Sequence, residues 1–294
     1  MGIDLSTRVA IVTGAGAGLG AAHAIALARR GAKLVVADMN GEAAKDVVAQ
    51  IEAMGGEAMA APVSVTDFDA VQGMCEDALA RWGRIDILVN NAGILRDRSF
   101  AKMALDDFRL VLDVHLMGSV NCTKAVWDMM RAQNYGRIVF TTSSSGLYGN
   151  FGQANYGAAK MALVGLMQTL AIEGERYGIR VNCLAPSAAT AMTNGLYSPE
   201  MLAGLDSSLV SPAIVALAAE DAPSRAILLA GAGSFEQAHV TMTQGLFLGG
   251  GDGVADELLD RLDQVGARDG ERIPARGEEQ YQYEMAARAE KVSA

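Results

Sequence analysis

The sequence predicts an α/β fold, a doubly wound and parallel sheet of about seven strands with helices on both faces. Short β-branched runs alternate with longer segments of helical period through most of the chain. Several of those runs are apolar throughout instead of alternating, so both faces of each strand are expected to be covered. No internal repeat or low-complexity linker breaks the alternation, which therefore implies right-handed strand–helix–strand crossovers.

In order, strands are expected at residues 9–13, 33–37, 57–61, 86–90, 137–142 and 180–184, with a seventh around 226–230; 57–61 is the weakest. Helical period runs through 19–30, 42–54, 67–82, 106–131 and 155–177. Residues 187–210, rich in Ala, Ser, Thr, Met and Leu with Pro199 inside, do not fit and are expected to be a mobile segment at the mouth of any site there. One domain is drawn over 1–253. Beyond Gly249-Gly250-Gly251-Asp252-Gly253 the chain turns charged, and 254–294 is expected to be an extension, an amphipathic helix with a loosely held end.

Composition narrows the function. With 51% apolar and 20% charged residues in 294, the chain is a folded domain. No apolar run approaches the ~20 residues needed to cross a bilayer, and the N-terminus carries no secretion-signal pattern, so no membrane role is expected. Cys75, Cys122 and Cys183 are odd in number and far apart, which suits buried thiols in a reducing compartment better than disulfides or a metal site. A net charge of −10 argues against nucleic acid. A cytoplasmic enzyme is expected.

Thr13-Gly14-Ala15-Gly16-Ala17-Gly18-Leu19-Gly20 follows the first strand and opens the first helix. Glycine lets backbone approach a diphosphate, which meets free N–H groups at the helix N-terminus. A glycine cluster alone also serves ordinary turns; its place between strand and helix favours a dinucleotide. Asp38, at the end of the second strand, can accept from the adenosine ribose hydroxyls and would repel a 2′-phosphate. With Met39, Ala15 and Ala17 nearby and no cation, NAD is expected over NADP; the alternative is that Asp38 is a solvated turn residue.

Tyr156 and Lys160 stand one helical turn apart and face the same way. A phenol of unperturbed pKa ~10 is a poor base at neutral pH, and a fixed ammonium beside it favours the phenolate. Ser143, at the end of the preceding strand, could hold a substrate oxygen. Without the upstream loop such a pair would be ordinary helix surface.

The TGxxxGxG loop, Asn90-Asn91-Ala92-Gly93, Ser143 and the YxxxK pair occur in an order and spacing that resembles the short-chain dehydrogenase/reductase family over about 250 residues. The resemblance implies a Rossmann-type fold, Tyr156 as general acid/base, Lys160 lowering its pKa and holding the nicotinamide ribose, and Ser143 orienting the substrate. It places Gly14, Gly18, Leu19, Gly20, Val65, Asn91, Ala92, Gly93 and Ala189 along the cofactor, and it implies a homodimer or homotetramer built on the two long helices. The stretches NNAGILRDRSF (90–100), DVHLMGS (113–119), YGNFGQANYGAAK (148–160) and LAIEG (170–174) are similar to the (3R)-hydroxyacyl-CoA dehydrogenase domains of type 2 peroxisomal multifunctional enzymes, a branch also described as 17β-hydroxysteroid dehydrogenases. Read as given, the domain is expected to act without a hydratase or sterol-carrier segment.

Four departures bear on the chemistry. His115 stands where most members have a water-holding Asn, and either holds that water or is a satisfied core residue. Ser64 replaces an adenine-contacting Asp, leaving that contact weaker or to the backbone of Val65. Pro186-Ser187 replaces Pro-Gly beside the carboxamide. Gln237, His239 and Met242 replace basic residues, which counts against CoA thioesters if those cations serve a CoA phosphate.

Leu147, Tyr148, Phe151, Met192, Leu196, Met201, Leu202 and Leu205 are candidate pocket walls; as a set they favour a lipid-like substrate, while any single one is equally read as lid packing. Arg96, Arg98 and Lys102 are read as solvated loop charges or, alternatively, a CoA-phosphate contact. Three functions compete: a 3-hydroxyacyl-CoA dehydrogenase, a hydroxysteroid dehydrogenase, and a cofactor-binding sensor or scaffold without turnover. The intact Ser143, Tyr156 and Lys160 count against the last.

Overall fold

A computed structural model describes residues 2–189 and 204–292, in two compact units, Met1–Ala238 and His239–Ala294. The first unit is built on one eight-stranded sheet. Its strands are β1 Val9–Thr13, β2 Lys33–Ala37, β3 Ala58–Ala61, β4 Ile87–Asn90, β5 Gly136–Thr141, β6 Ile179–Ser187, β7 Ile227–Gly231 and β8 Ser234–Ala238, in the order β3-β2-β1-β4-β5-β6-β7-β8. Strands β1 to β7 pair in parallel, in keeping with their mainly apolar sequences; β1 and β5 are buried at every position.

The eighth strand is an addition to the expected seven, and it runs antiparallel to β7. Its sequence, SFEQA, is largely solvent-exposed and so carries no apolar signal. Ala232 and Gly233, both at positive φ (51° and 79°), make the tight turn that creates it.

Around the sheet lie α1 Gly18–Ala28, α2 Gly41–Ala53, α3 Phe68–Trp82, α4 Leu105–Leu112, α5 Gly118–Gln133, α6 Ser144–Tyr148, α7 Ala154–Gly174 and α8 Ser211–Ala218. One apolar cluster packs α1, α2 and α8 on one face, and another packs α3, α5 and α7 on the other. The single helix expected over 106–131 is two, joined by a π turn at Asp113–Met117. That turn turns His115 inward until it is 1% exposed.

Chain order reverses between β1 and β4, and the crevice beyond the carboxyl ends of those strands is where open α/β sheets bind ligands. The opposite end is closed by a buried polar lock: Asp86 accepts from Arg84 Nε (2.7 Å) and from the Val9 N–H (2.9 Å). All three cysteines are buried and free. Among the described residues no helix is long and apolar enough to cross a membrane.

The second unit carries α9 Val254–Asp260, α10 Leu262–Val265 and α11 Glu279–Val292. A lone antiparallel bridge joins Met242 to Arg272, whose guanidinium lies 3.4 Å over the Tyr283 ring.

Candidate active site

A cleft of about 350 Å³ opens at the switch point. The turn from β1 into α1 forms one wall through Gly14, Gly18, Leu19 and Gly20. The N-cap, Ala17, offers no side-chain hydrogen bond, and no acidic residue occupies the first turn of α1, so its backbone donors are left for an anion. Gly20 has to be glycine, since a Cβ there would fall 2.1 Å from the Gly14 carbonyl oxygen. Such a cradle of bare backbone and free N–H groups fits a dinucleotide diphosphate.

Thr13 holds this wall in register with the loop after β4. Its Oγ1 accepts from the backbone N–H groups of Asn91 (3.0 Å) and Ala92 (3.1 Å), while Asn91 Nδ2 donates to the Thr13 carbonyl (2.9 Å). Asp38 also lines the cleft. Its carboxylate accepts from the N–H groups of Gly16 and Asn40, both at 2.9 Å, and two bonds leave it acceptor capacity for ribose hydroxyls.

The expected catalytic group is assembled at the far end of the same cleft, lined by His115, Ser143, Tyr156 and Lys160. Tyr156 and Lys160 come from α7; Ser143 ends the segment after β5 and caps α6, accepting from the Ser145 N–H at 3.2 Å. The Tyr156 hydroxyl is hydrogen-bonded to Ser143. His115 meets the Tyr156 ring edge-on, with centroids 5.2 Å apart. Lys160 Nζ lies 5.5 Å from the Tyr156 ring centroid and donates to the Thr141 carbonyl at 2.5 Å, while Thr142 Oγ1 donates to the Lys160 carbonyl at 2.7 Å.

Electrostatics depart from the expected lowering of Tyr156 by Lys160. Burial pushes the phenol above its ordinary value, the hydrogen bond with Ser143 opposes this, and the Asp97 carboxylate pushes it further up. Burial also pushes the Lys160 ammonium down to about 7, so near neutral pH much of its charge is gone. His115 is driven down to about 3, first by burial and then by Lys160. Nε2 of its neutral ring lies 3.0 Å from the Ile94 N–H and 2.8 Å from the Ile94 carbonyl, accepting from the first in one tautomer or donating to the second in the other, and Nδ1 is buried without a partner among the described residues. Gly93 makes room for that ring, because a Cβ there would stand 2.3 Å from His115 Cε1.

Other expected residues lie elsewhere. Ser64 and Val65 are not in the lining: Ser64 Oγ bonds Thr66 Oγ1 (2.8 Å), and the Val65 carbonyl accepts from Asn121 Nδ2 (2.9 Å). Ala189 falls one residue past the lining Ala188, its N–H held by the Leu205 carbonyl at 2.6 Å. Leu147 packs onto the core, whereas Tyr148 and Phe151, at the end of α6 and just beyond it, stand 69% and 90% exposed. Met192, Leu196, Met201 and Leu202 lie outside the described residues. Sequence reasoning missed Thr141, Asn150 and Gln153 as lining residues; their polarity among glycines and serines gave no signal of direction.

Comparison with known proteins shows the family. Residues 8–200 match the family described as short chain dehydrogenase. Peroxisomal multifunctional enzyme type 2 of Drosophila melanogaster is 50% identical over 222 residues, 72% of this chain and 37% of that protein, so the chain spans only about a third of that relative's length. The 3-oxoacyl-[acyl-carrier-protein] reductase of Synechocystis sp. is 46% identical over 200 residues, 67% of this chain and 81% of that one. A solved 7α-hydroxysteroid dehydrogenase, complexed with NADH and 7-oxo glycochenodeoxycholic acid, is 30% identical with a TM-score of 0.73, covering 79% of this chain and 95% of that one.

Proposed function

Because the chain belongs to the short-chain dehydrogenase family, oxidoreductases acting on CH–OH groups, we propose that it uses NAD to interconvert 3-hydroxyacyl-CoA and 3-oxoacyl-CoA. One observation carries the reading: the Gly14–Gly20 cradle, Asp38 and the Tyr156–Ser143 pair share a single cleft. The similarity to a 3-oxoacyl reductase supports a thioester substrate. Asp38, with two acceptor positions left and no cation beside it in sequence, supports NAD over NADP.

NAD held by the Gly14–Gly20 cradle and Asp38 would supply the hydride acceptor for the alcohol carbon. The chain handles the proton on the alcohol oxygen. Ser143 Oγ positions that oxygen against the Tyr156 hydroxyl, and Tyr156 takes its proton in oxidation or returns one in reduction. Lys160, fixed by Thr141, is placed to hold ribose hydroxyls. His115 Nδ1 is suited to hold a water that passes the proton onward. Apolar residues left exposed on α4 and α7, Leu105, Leu110 and Met161, support a homodimer or homotetramer, and three buried thiols support a reducing compartment such as the cytoplasm; the multifunctional relatives carry peroxisomal names.

The test is a side-by-side assay of a 3-hydroxyacyl-CoA series and a 17β-hydroxysteroid, following NADH absorbance. Turnover of the thioesters is expected, with Tyr156→Phe keeping NAD binding and losing roughly 10²- to 10⁴-fold in kcat. Turnover of the steroid alone would select the hydroxysteroid reading, and NAD binding without turnover of either would select a sensor.

A further inference from the structure

The wall of the cleft one helical turn before Tyr156 is polar, and the acid/base chemistry does not use it. Gln153 and Asn150 both line the cleft. Gln153 is 9% exposed and sits at the N-cap of α7, three residues before Tyr156, and both line the same cleft. The loop after β4 is strapped to this helix end: the Arg98 N–H donates to the Gly152 carbonyl (2.9 Å), and Asn155 Nδ2 donates to the Arg96 carbonyl (3.0 Å). Those two bonds deliver Asp97 to Gln153.

The resulting network fixes which way the amide faces. Gln153 Nε2 donates to Asp97 Oδ2 at 2.7 Å, and Gln153 Oε1 accepts from Asn150 Nδ2 at 3.1 Å. An ionised carboxylate only accepts, so the NH₂ group has to face Asp97, and the bond is charge-assisted. Nε2 has a second hydrogen, for which no acceptor is present among the described residues. A pinned donor therefore lines the cleft that also holds Ser143 and Tyr156. The other Asp97 oxygen is buried without a partner, and the carboxylate that pushes Tyr156 up also repels a substrate carboxylate at this wall.

The geometry points to Gln153 as a specificity-determining residue whose Nε2–H binds a second, neutral carbonyl of the substrate, two carbons from the carbon that is oxidised. That is the carbonyl of a 3-oxoacyl thioester; an isolated steroid ketone lacks it, and a free 3-oxo acid presents a charge in its place. Asp97 and Asn150 act as positioning residues for the amide. This inference rests on the thioester reading above.

The full chain tests it with two ketones that differ at one group: 3-oxobutanoyl-CoA, and its thioether counterpart in which the thioester carbonyl is a methylene. Gln153→Met keeps the shape and removes the donor. The ratio of kcat/KM, thioester over thioether, is expected to fall about tenfold relative to the unmutated protein, the worth of one hydrogen bond. Asp97→Asn, which removes the charge that orients the amide, gives a smaller fall in the same ratio and serves if Gln153→Met does not fold. A ratio unchanged in both variants, whatever happens to the separate rates, overturns the assignment of Gln153 and leaves the thioester reading standing. No turnover of either CoA derivative by the unmutated protein overturns that reading and this inference together.

Discussion

Replacing Lys160 by Met should make the protein more stable and nearly inactive. The side chain is 3% exposed, and burial holds its ammonium at about 7 against an ordinary 10.5. At pH 7 that difference corresponds to about 4 kcal/mol spent on keeping an amine in an apolar setting. Methionine has nearly the same shape and carries no such cost. It forfeits the hydrogen bond to Thr141, which offsets about 1–2 kcal/mol. A net gain of about 2–3 kcal/mol remains, or roughly 5–10 °C in Tm for a unit of this size. The gain has a pH signature. The folded value lies below the unfolded one, so the unfolded chain holds the extra proton between about pH 7 and 10.5. Wild-type stability therefore rises with pH through that window, and the gap to Lys160→Met closes above it. Urea unfolding of both proteins at pH 7 and pH 10 reads the gap directly, and NADH absorbance reads the loss of activity. A variant less stable than wild type at pH 7, or a gap equal at both pH values, would refute the reasoning that Lys160 is kept for function against stability.

Three further outcomes follow from the same electrostatics. Burial raises Tyr156, so alcohol oxidation, which needs the phenolate, should climb with pH into the alkaline range, whereas ketone reduction should stay flat up to neutral pH; an oxidation rate already level at pH 6 would contradict this. His23, fully buried with Nδ1 2.9 Å from Ser211 Oγ, is pushed down to about 3 by burial, so stability is lost as pH falls from 6.5 toward 3. At pH 4.5 the loss from His23 is about 3 kcal/mol, and His23→Gln should be less acid-sensitive than wild type by that amount in urea melts at pH 7 and 4.5. Asp38→Ala should erode a preference for NAD over NADP by roughly ten- to a hundredfold, the worth of hydrogen bonds to a charged group; equal efficiency with both cofactors before mutation would dismiss the role given to Asp38.

Much of this protein was legible in its sequence because parallel strands and phosphate loops leave local signatures. The mainly apolar runs at 9–13 and 33–37 coincide with β1 and β2, since strands covered on both faces favour apolar side chains. Gly14 to Gly20, Ser143, Tyr156 and Lys160 converge on one cleft because each sits at a strand end or on the helix face that the fold directs there. What needed three dimensions was direction and burial. Helical period through 106–131 is continuous, and only packing of His115 against Gly93 reveals the π turn that interrupts it. β8 exists because a two-residue turn folds an exposed segment back on β7, which no hydrophobic pattern announces. The spacing of Tyr156 and Lys160 predicts proximity, but the sign of a pKa shift depends on how deeply both are desolvated, and desolvation is a sum over residues distant in sequence. The Asp97–Gln153 contact spans two loops for the same reason: sequence specified the chemistry of each group, and the tertiary fold decided which groups face each other across the cleft.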